Sequence, residues 1–171
     1  MIGHIVCEST HIYYTEIPQD VTLSRRERER AAVCRLLEHR FGAGAEIEHA
    51  ASGAPLPIGG CHISVSHSHR LAVVAVDSVR KIGVDAEEYR PKLRDVAPRY
   101  LSSYELDHVL TDDDYLRLWT SKEAIYKLAG ILGLSLADGI EVLPAPCILP
   151  ASRPVALHHF RVESTHLTLA R

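Results

Sequence analysis

Two acidic side chains follow directly after an apolar segment of the sequence, residues 79–84. Asp85 and Glu87 are alternate residues, so on an extended strand their carboxylates lie on the same face. Neighbouring carboxylates repel each other unless a cation lies between them, and oxygen ligands of this type suit Mg²⁺ or Mn²⁺. A strand that ends in ordinary solvated acids would show the same pattern, so this segment alone leaves both interpretations open.

A second pair of charged residues lies on residues 118–128, which the sequence pattern predicts to be an amphipathic helix. Glu123 and Lys127 are four residues apart and therefore share one face, while Leu118 and Leu128 fall on the apolar arc. Taken alone, this spacing is typical of a surface ion pair, which contributes about 0.3–0.5 kcal/mol. A functional role for the pair needs support from the rest of the chain.

Arginines crowd the start of another predicted helix. The capping-box pattern of Ser24 and Glu27 predicts a helix that begins at about residue 25 and ends near residues 41–44. Its first turns carry several arginines, among them Arg26 and Arg30, and positive charge there is unfavourable to the helix dipole. This arrangement hints at a bound anion, but a solvated face with Arg–Glu pairs four residues apart would explain it equally well.

Apolar segments and capping signals predict the elements that position these groups. Predicted strands cover residues 2–6, 11–15, 61–65, 71–76, 79–84, 140–143, 155–162 and 166–170. Predicted helices cover residues 25–41, 93–100, 103–110 and 112–130, and a loop rich in Gly and Pro covers residues 50–60. We expect strands 71–76 and 79–84 to form a hairpin through Asp77 and Ser78, which is also the natural midpoint of the chain.

Composition and charge restrict the class of protein. The chain has 171 residues, of which 46% are hydrophobic and 24% charged, as in a globular protein with a core. Its formal net charge of −3 argues against nucleic acid as the main partner. No apolar run reaches the roughly 20 residues of a membrane span, and no secretory signal is present, so we expect no membrane partner and a cytoplasmic location. The four cysteines are far apart, which argues against a zinc or disulfide framework.

Five short motifs occur in order over residues 53–127. They are Gly53-Ala54-Pro55, Ser66-His67, Gly83-Val84-Asp85-Ala86-Glu87, Tyr100-Leu101-Ser102-Ser103-Tyr104-Glu105 and Trp119-Thr120-Ser121-Lys122-Glu123-Ala124-Ile125-Tyr126-Lys127. Each motif alone is weak, but the five in this order specifically resemble the 4′-phosphopantetheinyl transferase superfamily, of the type that activates surfactin synthetase. The resemblance fades in residues 1–20 and after about residue 140.

The resemblance implies a fold and an assembly state. The expected fold is α+β, a single domain over residues 1–171 with two similar halves, residues 1–78 and 79–171, related by a pseudo-twofold axis. Each half would be a small antiparallel sheet packed with helices. Coenzyme A would lie in the cleft between the halves, and the protein would act as a monomer.

The resemblance also implies an activity, the transfer of 4′-phosphopantetheine from coenzyme A to a serine of an acyl or peptidyl carrier protein, leaving adenosine 3′,5′-bisphosphate. By resemblance, Asp85, Glu87 and Glu123 would hold Mg²⁺, with Mn²⁺ as an alternative. Glu123, or a water that it orients, would take the serine proton. Lys127 would stabilise the leaving phosphate, and His67, with the hydroxyl of Ser66, would bind a coenzyme A phosphate, which we expect to be the 3′-phosphate.

Further contacts to coenzyme A follow from the same resemblance. In addition to Asp85, Lys127 and His67, they are assigned to Arg26, Arg30, Gly53, Pro55 and Ser66. The chain departs from the family pattern at Ala54, where the family has lysine, and at His49, where many members have arginine. We expect these departures to affect the affinity for coenzyme A more than the reaction.

Two other functions stay open on the sequence. A degenerate relative could hold a carrier protein without transferring anything to it. A zinc hydrolase could use the histidine-rich segment His62, His67 and His69 together with Asp85, but it would leave the helix that carries Glu123 and Lys127 unexplained.

Overall fold

The computed structural model describes residues 1–51, 53–149 and 153–171. The strands are β1 (Ile2–Cys7), β2 (Thr10–Glu16), β3 (His62–His67), β4 (Leu71–Asp77), β5 (Gly83–Glu87), β6 (Ile140–Glu141), β7 (Cys147–Ile148), β8 (Arg153–Pro154), β9 (Leu157–Val162) and β10 (Thr165–Ala170). The helices are α1 (Arg25–Phe41), α2 (Lys92–Asp95), α3 (Ser103–His108), α4 (Asp112–Ala129) and α5 (Leu136–Gly139), with a 3₁₀ turn at Ala97–Arg99.

The first sheet is antiparallel, in the order β1-β2-β4-β3, and its strand β4 is buried on both faces. On one face, Val74 belongs to an apolar cluster with Leu36 of α1. On the other face, Val73 belongs to a cluster with Val84 of β5 and Leu167 of β10. A strand that is covered on both sides needs apolar residues at every position, which explains the unbroken apolar sequence of β4.

The second sheet, in the order β5-β10-β9, lies between the first sheet and α4. Leu169 of β10 faces the first sheet, whereas the hydroxyl of Thr168 faces α4 and lies 2.8 Å from that of Thr120. The layers are therefore α1, first sheet, second sheet and α4. A small third sheet has the strand order β6-β7-β8, and its strand β6 contacts α5. The predicted α+β class is confirmed, while the pseudo-twofold relation of residues 1–78 and 79–171 stays a prediction.

The predicted hairpin of strands 71–76 and 79–84 is wrong. The hydrogen bonds along both edges of β4 already join it to β2 and β3, so no edge is left for β5. Instead, β5 pairs with β10, a strand formed by the end of the described chain. The segment between β4 and β5 therefore carries the chain from one sheet to the other, near the midpoint predicted from the sequence.

The predicted helix starts agree with the structure. Ser24 caps α1 and Ser102 caps α3, each through a capping box that is completed by the glutamate three residues later. Thr111 caps α4, and Gly130 ends this helix in the left-handed conformation. In the described part of the chain, none of the helices has the length and apolarity required to cross a membrane.

A buried ion pair joins α3 to α4. Lys122 Nζ lies 2.6 Å from a carboxylate oxygen of Glu105, and both side chains are fully buried. The ammonium also donates to the carbonyl of Leu136, while the carboxylate accepts from the N–H groups of Ser102 and Val142. Burial lowers the pKa of Lys122, and the neighbouring Glu105 opposes this effect. The pair fixes α4, with its candidate functional residues, to the elements on its outer side.

Removing one partner of this pair should destabilise the protein strongly, because the other charge is then buried alone. We expect Lys122→Met or Glu105→Gln to lower the free energy of unfolding by about 3–5 kcal/mol. The double variant should lose less than the sum of the single changes, as measured by urea denaturation. Asp113→Asn, which removes the exposed contact with Arg161, is the control and should change stability by about 1 kcal/mol or less. Additive losses in the double variant would contradict the ion pair.

Candidate active site

A cavity of about 1190 Å³ opens between the first half of the chain and the end of α4. Its walls are α1, the segment from residue 46 to residue 57, β3 and the residues around Gly130. Residue 52 of the predicted loop 50–60 lies outside the described residues. Six residues that the resemblance assigned to coenzyme A line this cavity together, namely Arg26, Arg30, Gly53, Pro55, His67 and Lys127.

Helix α1 supplies the positive charge at one wall of the cavity. Arg26 and Arg30 are one turn apart, and both side chains are exposed to the cavity. Between them in sequence, Glu29 lies 2.7 Å from Arg25 Nε and 3.5 Å from Nδ1 of His67 on β3. Helix α1 therefore touches the end of β3, where the histidine of the Ser-His motif stands.

The carboxylates of β5 do not line the cavity themselves, but Asp85 contacts Lys127, which does. Asp85 is buried, and its Oδ1 lies 2.7 Å from Lys127 Nζ, which also donates to the carbonyl of Val84 at 3.0 Å. The hydroxyl of Ser66 donates to the same Oδ1 at 2.8 Å, and Ser66 is itself buried. Ser66 is thus directed at a carboxylate, while the next residue, His67, lines the cavity.

A glycine allows α4 to approach β5 closely enough for this contact. A Cβ atom at Gly83 would lie 2.0 Å from the carbonyl oxygen of Ala124 and 2.6 Å from the backbone nitrogen of Leu128. Any side chain at this position would therefore push the helix away from the strand. The glycine of the Gly-Val-Asp motif is required because the helix backbone occupies the space beside it.

Glu87 follows Asp85 by two residues on β5, and Glu123 lies one turn before Lys127 on α4. Both carboxylates are therefore close in sequence to the Asp85–Lys127 contact. Burial raises the pKa of Glu123; the charge of Asp85 raises it further, and that of Lys127 opposes the shift. Burial also raises the pKa of Glu87, against the effect of Arg90, whose guanidinium contacts the Glu87 carboxylate. Three hard oxygen donors that repel one another are chemically suited to Mg²⁺ or Mn²⁺.

In this structure, however, lysine and arginine side chains of the protein itself contact the carboxylates of β5. Across residues 1–51, 53–149 and 153–171, the structure contains no group of three or more His, Cys, Asp or Glu side chains placed to hold a metal ion. Lys127 contacts Asp85 and Arg90 contacts Glu87, so positive side chains compensate two of the carboxylates. The residues fit a divalent cation in chemical type, and the site roles assigned from the sequence stay predictions.

Sequence reasoning missed three charged residues of the cavity wall, namely Glu29, Glu46 and Lys81. Lys81 lines the cavity, and its Nζ donates to the carbonyl of Ala129 at the end of α4, at 3.0 Å. It went unnoticed because it lies in a segment predicted to be a strand, whereas β5 begins after it. Glu29 also lines the cavity, and its spacing of four from Arg25 was the signal available in the sequence.

Comparison with protein families identifies the region that carries these carboxylates. A family model described as the 4′-phosphopantetheinyl transferase superfamily matches residues 81–168, more than half of the chain. The matched region contains β5 and α4, and with them Asp85, Glu87, Glu123 and Lys127.

Individual relatives match over shorter regions. The chain is 37% identical over 95 residues to the 4′-phosphopantetheinyl transferase HetI of Nostoc sp., covering 51% of this chain and 40% of that protein. It is 38% identical over 81 residues to the 4′-phosphopantetheinyl transferase Sfp of Bacillus subtilis, covering 44% of this chain and 35% of the relative. Another Bacillus subtilis protein named 4′-phosphopantetheinyl transferase is 42% identical over 81 residues, with the same coverage. The chain thus spans 40% or less of the length of these relatives.

Gly83→Ala should separate α4 from β5, because the added Cβ would clash with backbone atoms of the helix, which cannot move away as a flexible side chain could. We expect a loss of about 1–3 kcal/mol in the free energy of unfolding, measured by urea denaturation. As a control, Gly133→Asn lies where an added Cβ meets no atom within 4 Å, and asparagine tolerates its positive φ of 77°. Equal stability of Gly83→Ala and the unmodified protein would show that the close approach is not required.

Acid should weaken the face of the second sheet under α4. Burial lowers the pKa of His159 from 6.5 to about 4, and Arg117, whose Nε lies 3.4 Å from the imidazole, adds to the effect. Between these pH values the unfolded chain binds a proton that the folded protein excludes, so the free energy of unfolding decreases as pH falls from 6.5 towards 4. We expect His159→Gln to remove about 1–2 kcal/mol of this decrease, measured by urea denaturation at pH 7 and pH 4.5. An unchanged pH dependence in this variant would contradict the assignment.

Proposed function

The chain belongs to the 4′-phosphopantetheinyl transferase superfamily, and we propose that it transfers the 4′-phosphopantetheine group of coenzyme A to a serine of an acyl or peptidyl carrier protein. The products would be the holo-carrier protein and adenosine 3′,5′-bisphosphate. One observation carries the proposal: the large cavity lined by Arg26, Arg30 and His67 adjoins the Asp85–Lys127 pair. The names of the relatives support the same reaction.

The character of the cavity supports coenzyme A as the ligand. A volume of about 1190 Å³ exceeds the range of about 300–1,000 Å³ that is usual for drug-sized ligands, so it suits a long molecule. Arginine, lysine and histidine side chains line it together with three glutamates and with apolar residues such as Val33 and Leu37. Coenzyme A likewise combines phosphates with a less polar pantetheine arm. His49 and Ala54 also line the cavity, so the departures from the family pattern fall where they would affect binding.

The residues beside the cavity supply the elements of phosphoryl transfer. The serine oxygen would attack the phosphorus that bears pantetheine, and the bond from that phosphorus to the oxygen of the departing adenosine bisphosphate would break. Glu123 would accept the serine proton, for which its raised pKa is favourable. Lys127 would donate to the phosphate oxygens on which negative charge develops. His67 and the arginines of α1 would hold the remaining phosphates in place.

A divalent cation forms part of the proposal. Asp85, Glu87 and Glu123 would hold Mg²⁺, with Mn²⁺ as an alternative, and the ion would neutralise negative charge on the pyrophosphate. Because a single chain supplies both sides of the cavity, we propose that the monomer is the active unit. The degenerate carrier-binding relative is less well supported than the transferase, since both Glu123 and Lys127 are present beside Asp85. Membership of the family leaves the zinc hydrolase without support.

The test of this function is the mass of a carrier protein incubated with the protein, coenzyme A and Mg²⁺. We expect a gain of one phosphopantetheine, abolished by a chelator and reduced by about 100-fold or more in rate by Glu123→Gln, since a proton acceptor contributes about 10²–10⁴. The exposed Asp113→Asn variant is the control and should retain the activity. If several unrelated carriers bind the protein without gaining mass, the chain is a binding relative and the transferase proposal fails.

A further inference from the structure

Three serines at alternate positions form a row on one face of the first sheet. Ser64 and Ser66 belong to β3, and Ser68 stands in the turn that follows. All three are buried. Residues at a spacing of two on a strand share a face, so the hydroxyls of Ser64 and Ser66 point the same way. The hydroxyl of Ser68 donates to Glu88, just after β5. The side chain of His67 lies on the opposite face, towards the cavity.

The serines bind the free edge of β5. This strand is at the edge of its sheet, where alternate backbone N–H groups would lack a strand partner. Ser64 Oγ accepts the N–H of Val84 at 2.9 Å, and Ser66 Oγ accepts the N–H of Ala86 at 3.2 Å, with the same offset of 20 residues in both cases. Side chains of one sheet therefore take the place of a neighbouring strand for the other sheet.

The same row also holds carboxylates of β5 and the residue after it. Ser66 donates to Asp85 at 2.8 Å, and Ser68 donates to Glu88 at 2.7 Å. Glu88 additionally accepts from the hydroxyl of Thr165 at 2.7 Å and from the N–H of His69 at 3.0 Å. Asp85 and Glu88 are thus fixed to the first half of the chain on either side of Glu87, which lies between them.

We propose that Ser66 is a positioning residue for the phosphopantetheinyl transfer, acting through Asp85 rather than on coenzyme A. This inference rests on the proposed function. Ser66 and His67 are adjacent on β3 but face opposite ways, so one residue fixes a cation-binding carboxylate while the next faces the phosphates. The distance between the cation site and the phosphate site is then set by a single peptide unit of a buried strand. This assignment replaces the role of phosphate ligand that the sequence suggested for Ser66.

The experiment compares two ligands measured separately, without turnover. Mn²⁺ binding to the protein alone is followed by the electron paramagnetic resonance of free Mn²⁺, and coenzyme A binding is followed by calorimetry without divalent cation. Loss of a hydrogen bond to a metal ligand typically reduces metal affinity by about 10–100-fold, so we expect at least about 10-fold weaker Mn²⁺ binding in Ser66→Ala. Coenzyme A affinity should change by no more than about twofold. Ser66→Thr, which keeps a hydroxyl, should restore most of the Mn²⁺ affinity.

Ser64→Ala is the matched control, because it removes the equivalent contact to a backbone N–H without touching a carboxylate. It should retain Mn²⁺ affinity even if it lowers thermal stability. Equal loss of Mn²⁺ affinity in both alanine variants would show that the loss comes from a general weakening of the contact between β3 and β5 and not from Asp85. This result would overturn the inference. Loss of coenzyme A affinity with unchanged Mn²⁺ affinity would make Ser66 a phosphate ligand and overturn it as well.

The outcomes separate this inference from the proposed function. Absence of Mn²⁺ binding by the unmodified protein would remove the cation from the proposed function and overturn the inference with it. Mn²⁺ binding that is unchanged in Ser66→Ala would overturn the inference alone and leave the transferase standing. Weakened Mn²⁺ binding in a protein that fails to modify any carrier would support the inference and count against the proposed function.

Discussion

The close packing of α4 on β5 is the contact on which the candidate site depends. It exists because Gly83 has no side chain, so that the helix backbone around Ala124 can lie against the strand. At that separation Lys127 reaches Asp85 directly. A helix held farther out by a larger residue would leave this buried carboxylate without its cation, and burying an uncompensated charge is strongly unfavourable. The packing of the α4 backbone on β5 therefore also determines whether the charge of Asp85 is compensated.

Polar contacts hold both α4 and β5 in place. On the outer side, the buried pair of Glu105 and Lys122 fixes α4 to α3. On the inner side, Ser64 and Ser66 bind the edge of β5. The site therefore lies between two polar anchors, each shielded from water, where hydrogen bonds are stronger and more directional than at the surface. Neighbouring residues of the family motif divide these roles, since Lys122 anchors the helix while the pKa of Glu123 is raised by burial and by the charge of Asp85.

Local sequence signals predicted the two long helices and the strands of the first sheet, because their causes are local. They placed β5 four residues too early, and a single helix predicted for residues 93–100 is instead α2 followed by a 3₁₀ turn. The capping box of Ser24 fixed the start of α1, and the alternation of Asp85 and Glu87 placed both beside α4. Partners that are distant in sequence were beyond such signals. The wrong hairpin of β4 and β5 followed from treating neighbouring strands as paired, whereas both edges of β4 are taken by β2 and β3. The same limit applies to Ser66. The sequence shows that this residue has a hydroxyl, but it does not show that Asp85 accepts the hydrogen bond from it.

The geometry of Lys127 reconciles its contact with Asp85 and its proposed contact with a phosphate. An ammonium carries three N–H donors. Its contacts with Asp85 and with the carbonyl of Val84 account for two of them. The side chain also lines the cavity, so a third donor can reach a ligand oxygen while the carboxylate is still held. An ammonium fixed in this way needs little rearrangement when a phosphate arrives, which is the condition under which a charged group stabilises a transition state most effectively.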